Sequence, residues 1–180
     1  MPGFHRVVEA ALAAHRMPAR AVVVEVTEAA VVEEEGIAVR TLHKLVELGV
    51  AVAIDDFGTG HSALGYLKRL PAQVLKIDKS LTCGLVDHPR DVAITKAVIE
   101  LGAALGLAVV VEGIESQAAA DLVRDLGADY GQGSLFGVAR PLEQVPGLRS
   151  ALAHPAPPQP MVAGARAVDL RGPRGGVPGA

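Results

Sequence analysis

Apolar residues run along this chain in two rhythms. Short, unbroken and mostly β-branched runs occur at Ala21-Val22-Val23-Val24, Val50-Ala51-Val52-Ala53-Ile54, Val74-Leu75 and Leu107-Ala108-Val109-Val110-Val111. Between them, apolar side chains recur every three or four residues. The unbroken runs predict strands covered on both faces, as in parallel sheets, and the spaced stretches predict amphipathic helices. Helices are expected over residues 4–15 (Val7, Val8, Ala11 and Leu12 on one face), 37–48 (Val39, Leu42, Leu45 and Val46), 62–70, 117–126 and 141–153. A longer helix should open at a capping Asp87 followed by Pro89, and bury Ile94, Val98, Leu101 and Leu105. Strand and helix alternate, which implies right-handed βαβ units and a parallel sheet.

The polar residues fall at the same place in each unit. Glu25, the pair Asp55-Asp56, Lys76 with Asp78, Glu112 with Glu115, and Gln132 all stand where an expected strand gives way to a loop. Any one of them is an ordinary loop charge. Five successive strands ending in acid, lysine or amide point instead to one site, because the C-terminal ends of parallel barrel strands converge on a single mouth. The organising stretch is the run into Asp55-Asp56-Phe57-Gly58-Thr59-Gly60, where a buried strand ends in two adjacent carboxylates and a glycine turn. Several carboxylates, a lysine and an amide make an oxygen-rich pocket that suits Mg²⁺, Mn²⁺ or Ca²⁺ better than zinc. Adjacent aspartates can serve two cations about 3.5–4 Å apart, as in two-metal phosphoryl hydrolysis, with Lys76 holding the attacking water or a phosphate oxygen. The glycines match neither the Walker pattern nor the dinucleotide fingerprint.

Composition narrows the class further. The chain of 180 residues is half hydrophobic but only 3% aromatic, without Trp, so an aliphatic core is expected. A net charge of −3 and the lack of a basic, aromatic-rich cluster argue against nucleic acid as a partner. No apolar run approaches the roughly 20 residues of a membrane span. One cysteine, Cys83, fits a reducing compartment, so a soluble cytoplasmic protein is the expectation. Residues 1–153 form the expected domain. From 154 to 180 the chain is rich in Pro, Gly and Ala without apolar periodicity, and a disordered tail is expected.

Taken in order, Glu25-Val26-Thr27-Glu28, Asp55-Asp56-Phe57-Gly58-Thr59-Gly60, Leu70-Pro71, Lys76-Ile77-Asp78, Glu112-Gly113-Ile114-Glu115 and Gln132-Gly133 resemble the EAL domain, a bacterial cyclic-di-GMP phosphodiesterase family. The resemblance covers roughly residues 4 to 145. It implies a TIM-type (β/α) barrel that hydrolyses cyclic-di-GMP to linear pGpG with Mg²⁺ or Mn²⁺. Carried onto this chain, it implies Glu25 and Asp55 as metal ligands, Asp55 bridging two ions and Asp56 serving the second. Lys76 would position the attacking water, Asp78 and Glu112 would ligate directly or through water, and Gln132 and Glu28 would stand close by. Glu115 would hold the loop after Asp55-Asp56, which supports metal binding and dimer contacts in this family.

The chain also departs from the family pattern. The name-giving Glu-x-Leu strand, its nearby arginine and the asparagine metal ligand of the next strand are absent from it. An incomplete barrel of about six of the eight strands is therefore expected, with the first strands missing. His61, Ala63, Ser134 and Val138-Ala139 replace residues more usual in the family. Two readings follow: a phosphodiesterase, impaired in this chain unless a longer parent protein or a homodimer supplies the missing ligands, or a degenerate module that binds nucleotide or a protein partner without catalysis.

Overall fold

The computed structural model describes residues 3–33, 35–59, 64–139, 141 and 168–169. Strands β1 (Val23–Thr27), β2 (Ala51–Phe57), β3 (Val74–Ile77), β4 (Ala108–Val111) and β5 (Tyr130–Gly131) lie in sequence order and pair in parallel. Helices α1 (Phe4–His15), α2 (Glu28–Glu33), α3 (Glu35–Glu47), α4 (Leu64–Leu67), α5 (Pro89–Ala104) and α6 (Gln117–Asp125) fall between or before them. A sixth strand, β6 (Val168–Asp169), pairs antiparallel with β5. Among the described residues the sheet has six strands, against about six barrel strands expected. Its last member comes from the stretch expected to be irregular, whereas the barrel strands proper number five.

One face of the sheet carries the helices. Ile54, Leu75, Ile77, Val109 and Val111 are at most 1% exposed and pack with Leu67, Leu85, Ile99, Ile114, Ala120 and Val123. Val50 and Val52 pack likewise with Leu42 and Leu45 of α3. On the opposite face, Ala53, Val74 and Val110 form a smaller cluster with Val23, Ala108 and Tyr130. Strand side chains alternate between faces, so the positions in phase with this second cluster are Glu25, Asp55, Lys76, Glu112 and Gln132. Register keeps the phases aligned, with Glu25 opposite Ala53 and Lys76 opposite Val110.

Three local expectations need correction. The cap of α5 is His88, not Asp87, because Pro89 takes the first helical position and the residue before it must be extended. Of the expected α5 face, Val98, Leu101 and Leu105 pack on the core but Ile94 is 40% exposed, and the buried positions of the helix are Thr95, Ile99 and Gly102. Thr95 Oγ1 donates to the Leu81 carbonyl in the turn after β3, and a side chain at Gly102 would strike Val109, so Gly102 lets α5 approach β4. Val7 of α1 is 65% exposed, and only Val8 and Leu12 of the expected apolar face pack on the α3 cluster. The helix expected over 141–153, apart from residue 141, lies outside the described residues, as does the start of the one expected over 62–70.

Candidate active site

The site forms where β1 to β4 end. β2 is irregular there: its register against β3 slips between Ile54 and Phe57, and Asp56 adopts φ 55°, the left-handed region that non-glycine residues rarely occupy. Thr59 closes the turn, its backbone N–H and its Oγ1 both donating to the Asp56 carbonyl, at 3.2 and 2.9 Å. Gly58 follows with φ 103°, and a side chain there would strike Leu81. The kink separates the two aspartates, which a regular pleat would only alternate between faces.

Asp55 is directed to Lys76. The Lys76 ammonium, with a side chain 4% exposed, lies 2.8 Å from Asp55 Oδ1, 3.1 Å from Glu25 Oε2 and 2.7 Å from Glu112 Oε1. Strands β1, β2 and β4 thus each deliver one carboxylate to a lysine on β3. Burial alone would lower the Lys76 pKa, but its hydrogen bonds to the three carboxylates carry it well above the ordinary lysine value, and the group is charged. Burial raises the Glu25 carboxyl, with Asp55 and Glu112 adding to the rise and Lys76 opposing it.

The remaining expected residues stand around this cluster. Burial pushes the Asp78 carboxyl up, but hydrogen bonds from Ser80 and the Lys79 backbone outweigh it and leave the group below its ordinary value. Asp78 Oδ1 accepts from the Ser80 amide at 2.9 Å and caps the short turn Lys79–Leu81, so it does not join the Lys76 ion pairs. Both carboxylate oxygens of Glu28 and the Gln132 Oε1 are buried without a hydrogen-bond partner among the described residues. Glu115 is exposed, beside a hollow of about 420 Å³ that Lys79, Thr82, Cys83 and Ser116 also line. The loop that Glu115 was expected to hold, beyond Thr59, lies outside the described residues as far as residue 63.

Two further residues belong to the setting of the site. Thr82, 5% exposed, donates its hydroxyl to the Glu112 carbonyl at 2.7 Å and so ties the turn after β3 to the end of β4. Gly133 lets Gln132 reach its place, because a side chain there would collide with the backbone N and O of Ile114. A cavity of about 550 Å³ lies at the other end of the strands, lined by Arg20, Val23, Ala51, Val74 and Tyr130 among others. It is distant from these charges, and the N-terminal face of a parallel barrel reads as stability rather than chemistry.

The donor set can be tested for a metal. Carboxylate and amide oxygens are the right donors for a hard divalent cation, and the orphaned oxygens of Glu28 and Gln132 are the sort of buried groups that a ligand satisfies. The chemistry of the residues fits. Their present arrangement is closed, however: no group of three or more acidic, His or Cys side chains among the described residues is set around a metal position. The carboxylates converge on Lys76 instead.

A parallel α/β sheet with carboxylates and a lysine gathered at its strand ends is the architecture of part of a TIM-type barrel. The chain belongs to the EAL domain family, whose model matches residues 1–141. Among curated relatives, MucR of Pseudomonas aeruginosa, a bifunctional diguanylate cyclase/cyclic di-GMP phosphodiesterase, is 40% identical over 135 residues, which are 75% of this chain and 20% of MucR. NbdA of the same organism, a cyclic di-GMP phosphodiesterase, is 41% identical over 118 residues, 66% of this chain and 15% of NbdA. The structure of the MucR phosphodiesterase in complex with c-di-GMP superposes with a TM-score of 0.75 at 39% identity, over 79% of this chain and 57% of that one. BlrP1 of Klebsiella pneumoniae, in a manganese/c-di-GMP complex, gives 0.70 at 30% identity, over 75% of this chain and 34% of that one. The chain therefore spans a fifth or less of the length of these curated relatives, and it carries part of a TIM-type barrel. No helix among the described residues is long and apolar enough to cross a membrane.

Proposed function

We propose that this chain carries the C-terminal portion of a cyclic-di-GMP phosphodiesterase site. The observation that carries the reading is the Lys76 cluster, which brings Glu25, Asp55 and Glu112 from three strands to one point at the mouth of an EAL-family barrel. In the reaction, a water oxygen bonds to one phosphorus of the cyclic dinucleotide and one P–O ester bond breaks, opening the ring to linear pGpG. Glu25, Asp55 and Glu112, with Asp56 and Asp78 beside them, would hold divalent cations, Mg²⁺ or Mn²⁺ by the hardness of the donors. When bound, such ions neutralise phosphate charge and make water a better nucleophile. Lys76 Nζ would turn an N–H from one of these acids to the incoming water or a phosphate oxygen, and Gln132 supplies a carbonyl oxygen, unpaired among the described residues, at the end of β5. The sheet behind them, with Val110 and Ala53 fully buried, keeps bulk water out from below.

A longer parent protein or a homodimer and a cytoplasmic setting complete this reading. A second reading, a module that binds nucleotide or protein without catalysis, is favoured by one observation: Lys76, rather than an open metal position, stands among the carboxylates. Turnover separates the two. The purified chain is incubated with cyclic-di-GMP and excess Mn²⁺, with Asp55→Ala as control. Conversion to pGpG that is lost in the control supports the phosphodiesterase; cyclic-di-GMP binding without conversion supports the module, and neither binding nor conversion overturns the phosphodiesterase and the nucleotide-binding form of the module.

A further inference from the structure

We propose that Lys76 is the resident cation of this site: its ammonium keeps Glu25, Asp55 and Glu112 together when no metal is bound, and a divalent ion must compete with that ammonium for their oxygens. The inference rests on reading the carboxylates as a cation site, and it assigns Lys76 a positioning role in addition to any contact with water or phosphate.

The geometry has three parts. First, the stoichiometry is matched. A lysine ammonium has three N–H donors, and three carboxylates lie at 2.7, 2.8 and 3.1 Å from Nζ. No donor is left to draw in another partner. Second, the lysine cannot be a solvent-facing bystander. Its side chain is 4% exposed, between the fully buried Leu75 and Ile77 on β3, so its charge is stable only with those acids around it. Third, removing it would leave the carboxylates of β1, β2 and the end of β4 around one point without the cation that now pairs them. Like charges held that close favour capture of an outside cation.

The same contacts explain why right-typed donors are not set around a metal position among the described residues. Mg²⁺ takes carboxylate oxygens at about 2.0–2.1 Å in near-octahedral geometry. Glu25 Oε2, Asp55 Oδ1 and Glu112 Oε1, held at hydrogen-bond distance by one nitrogen, are open to an ion only as the nitrogen gives them up. Lys76 is therefore both a scaffold for the metal-free site and a competitor for it.

The experiment measures metal binding directly, without substrate, on the full chain. Mn²⁺ titrations by calorimetry compare wild type with Lys76→Met and Lys76→Arg, and melting temperatures are taken in EDTA and in Mn²⁺. The expected result is Mn²⁺ binding at least tenfold tighter in Lys76→Met, a melting point in EDTA below wild type that Mn²⁺ restores, and wild-type affinity in Lys76→Arg. Equal or weaker binding by a folded Lys76→Met overturns the proposal, as does absence of binding in all three proteins. Should Lys76→Met fail to fold, wild type labelled with ¹³C and ¹⁵N at lysine decides: the Lys76 signal must shift in step with Mg²⁺ binding, and a signal that stays fixed while Mg²⁺ binds overturns the proposal. Cyclic-di-GMP turnover is read separately, so loss of catalysis and loss of the Lys76 role are told apart.

Discussion

At the residue scale the backbone around the acids is as specific as the acids themselves. Asp56 holds φ 55°, a conformation that places Cβ near its own carbonyl and costs an ordinary residue about 1–2 kcal/mol. Glycine escapes that cost and Asn tolerates it, so the side chain at 56 can be separated from its backbone. Asp56→Gly and Asp56→Asn should fold with stability close to wild type, whereas Asp56→Ala should lose about 1 kcal/mol in urea denaturation. Equal losses in all three would mean that the kink at the end of β2 is absent in solution. Gly133 makes a stricter demand, since any side chain there meets the backbone of Ile114 rather than a movable group. The Ile114 amide donates to the Gln132 carbonyl at 3.0 Å, and the Leu135 amide to the Ile114 carbonyl at 3.1 Å, so the two segments are tied where the clash would fall. Gly133→Ala should therefore destabilise by about 2–3 kcal/mol, measurable by the same denaturation.

At the element scale, strands begin with side chains that imitate the ladder. The Val52 amide donates to Gln73 Oε1 at 2.8 Å, and the Val109 amide to Asp129 Oδ2 at 2.8 Å, each reaching across from the neighbouring strand's entrance. Asp129 is 7% exposed, so Asp129→Ala leaves the Val109 N–H buried without an acceptor and should cost about 1–3 kcal/mol. Asp129→Asn keeps an oxygen in place and should cost less; if thermal melts show the two variants alike, the bond carries no stability. These two residues were not legible in the sequence, because a polar residue at a strand entrance looks the same whether it faces water or a neighbouring amide. The exits were legible, and the reason is periodicity. With side chains alternating along β1 to β4, acids and lysine placed at strand ends fall in phase, so Glu25, Asp55, Lys76 and Glu112 share a face before any tertiary contact is considered. Asp78 directly follows β3 and is in phase with Lys76, yet local hydrogen bonding to the Ser80 amide decides where its carboxylate goes. The α5 face was misjudged at Ile94 because the buried line of the helix runs through Thr95, Ile99 and Gly102, and hydrophobicity does not mark a threonine or a glycine as buried.

At the scale of the whole molecule the question is what covers the sheet edges. A closed eight-stranded barrel has none, but five parallel strands leave two sides open. Among the described residues β1 pairs on one side only, with β2, while β5 is covered by β6, Tyr130 facing Asp169 and Gly131 facing Val168. The cover is antiparallel and comes from beyond residue 153, so it is supplied by the stretch whose composition gave no sign of a strand. A chain ending at residue 153 tests its worth. Net hydrogen bonds contribute about 1 kcal/mol each, so losing this pairing should speed hydrogen exchange at Tyr130 and Gly131 about fivefold or more while β2 and β3 stay protected. An uncovered β5 also offers unpaired N–H and C=O groups, and the shortened chain should associate more readily in sedimentation at equal concentration. Unchanged exchange at both residues would mean that β6 does not hold the edge in solution, and that edge would then be free to accept a strand from another part of a parent protein or from a second copy.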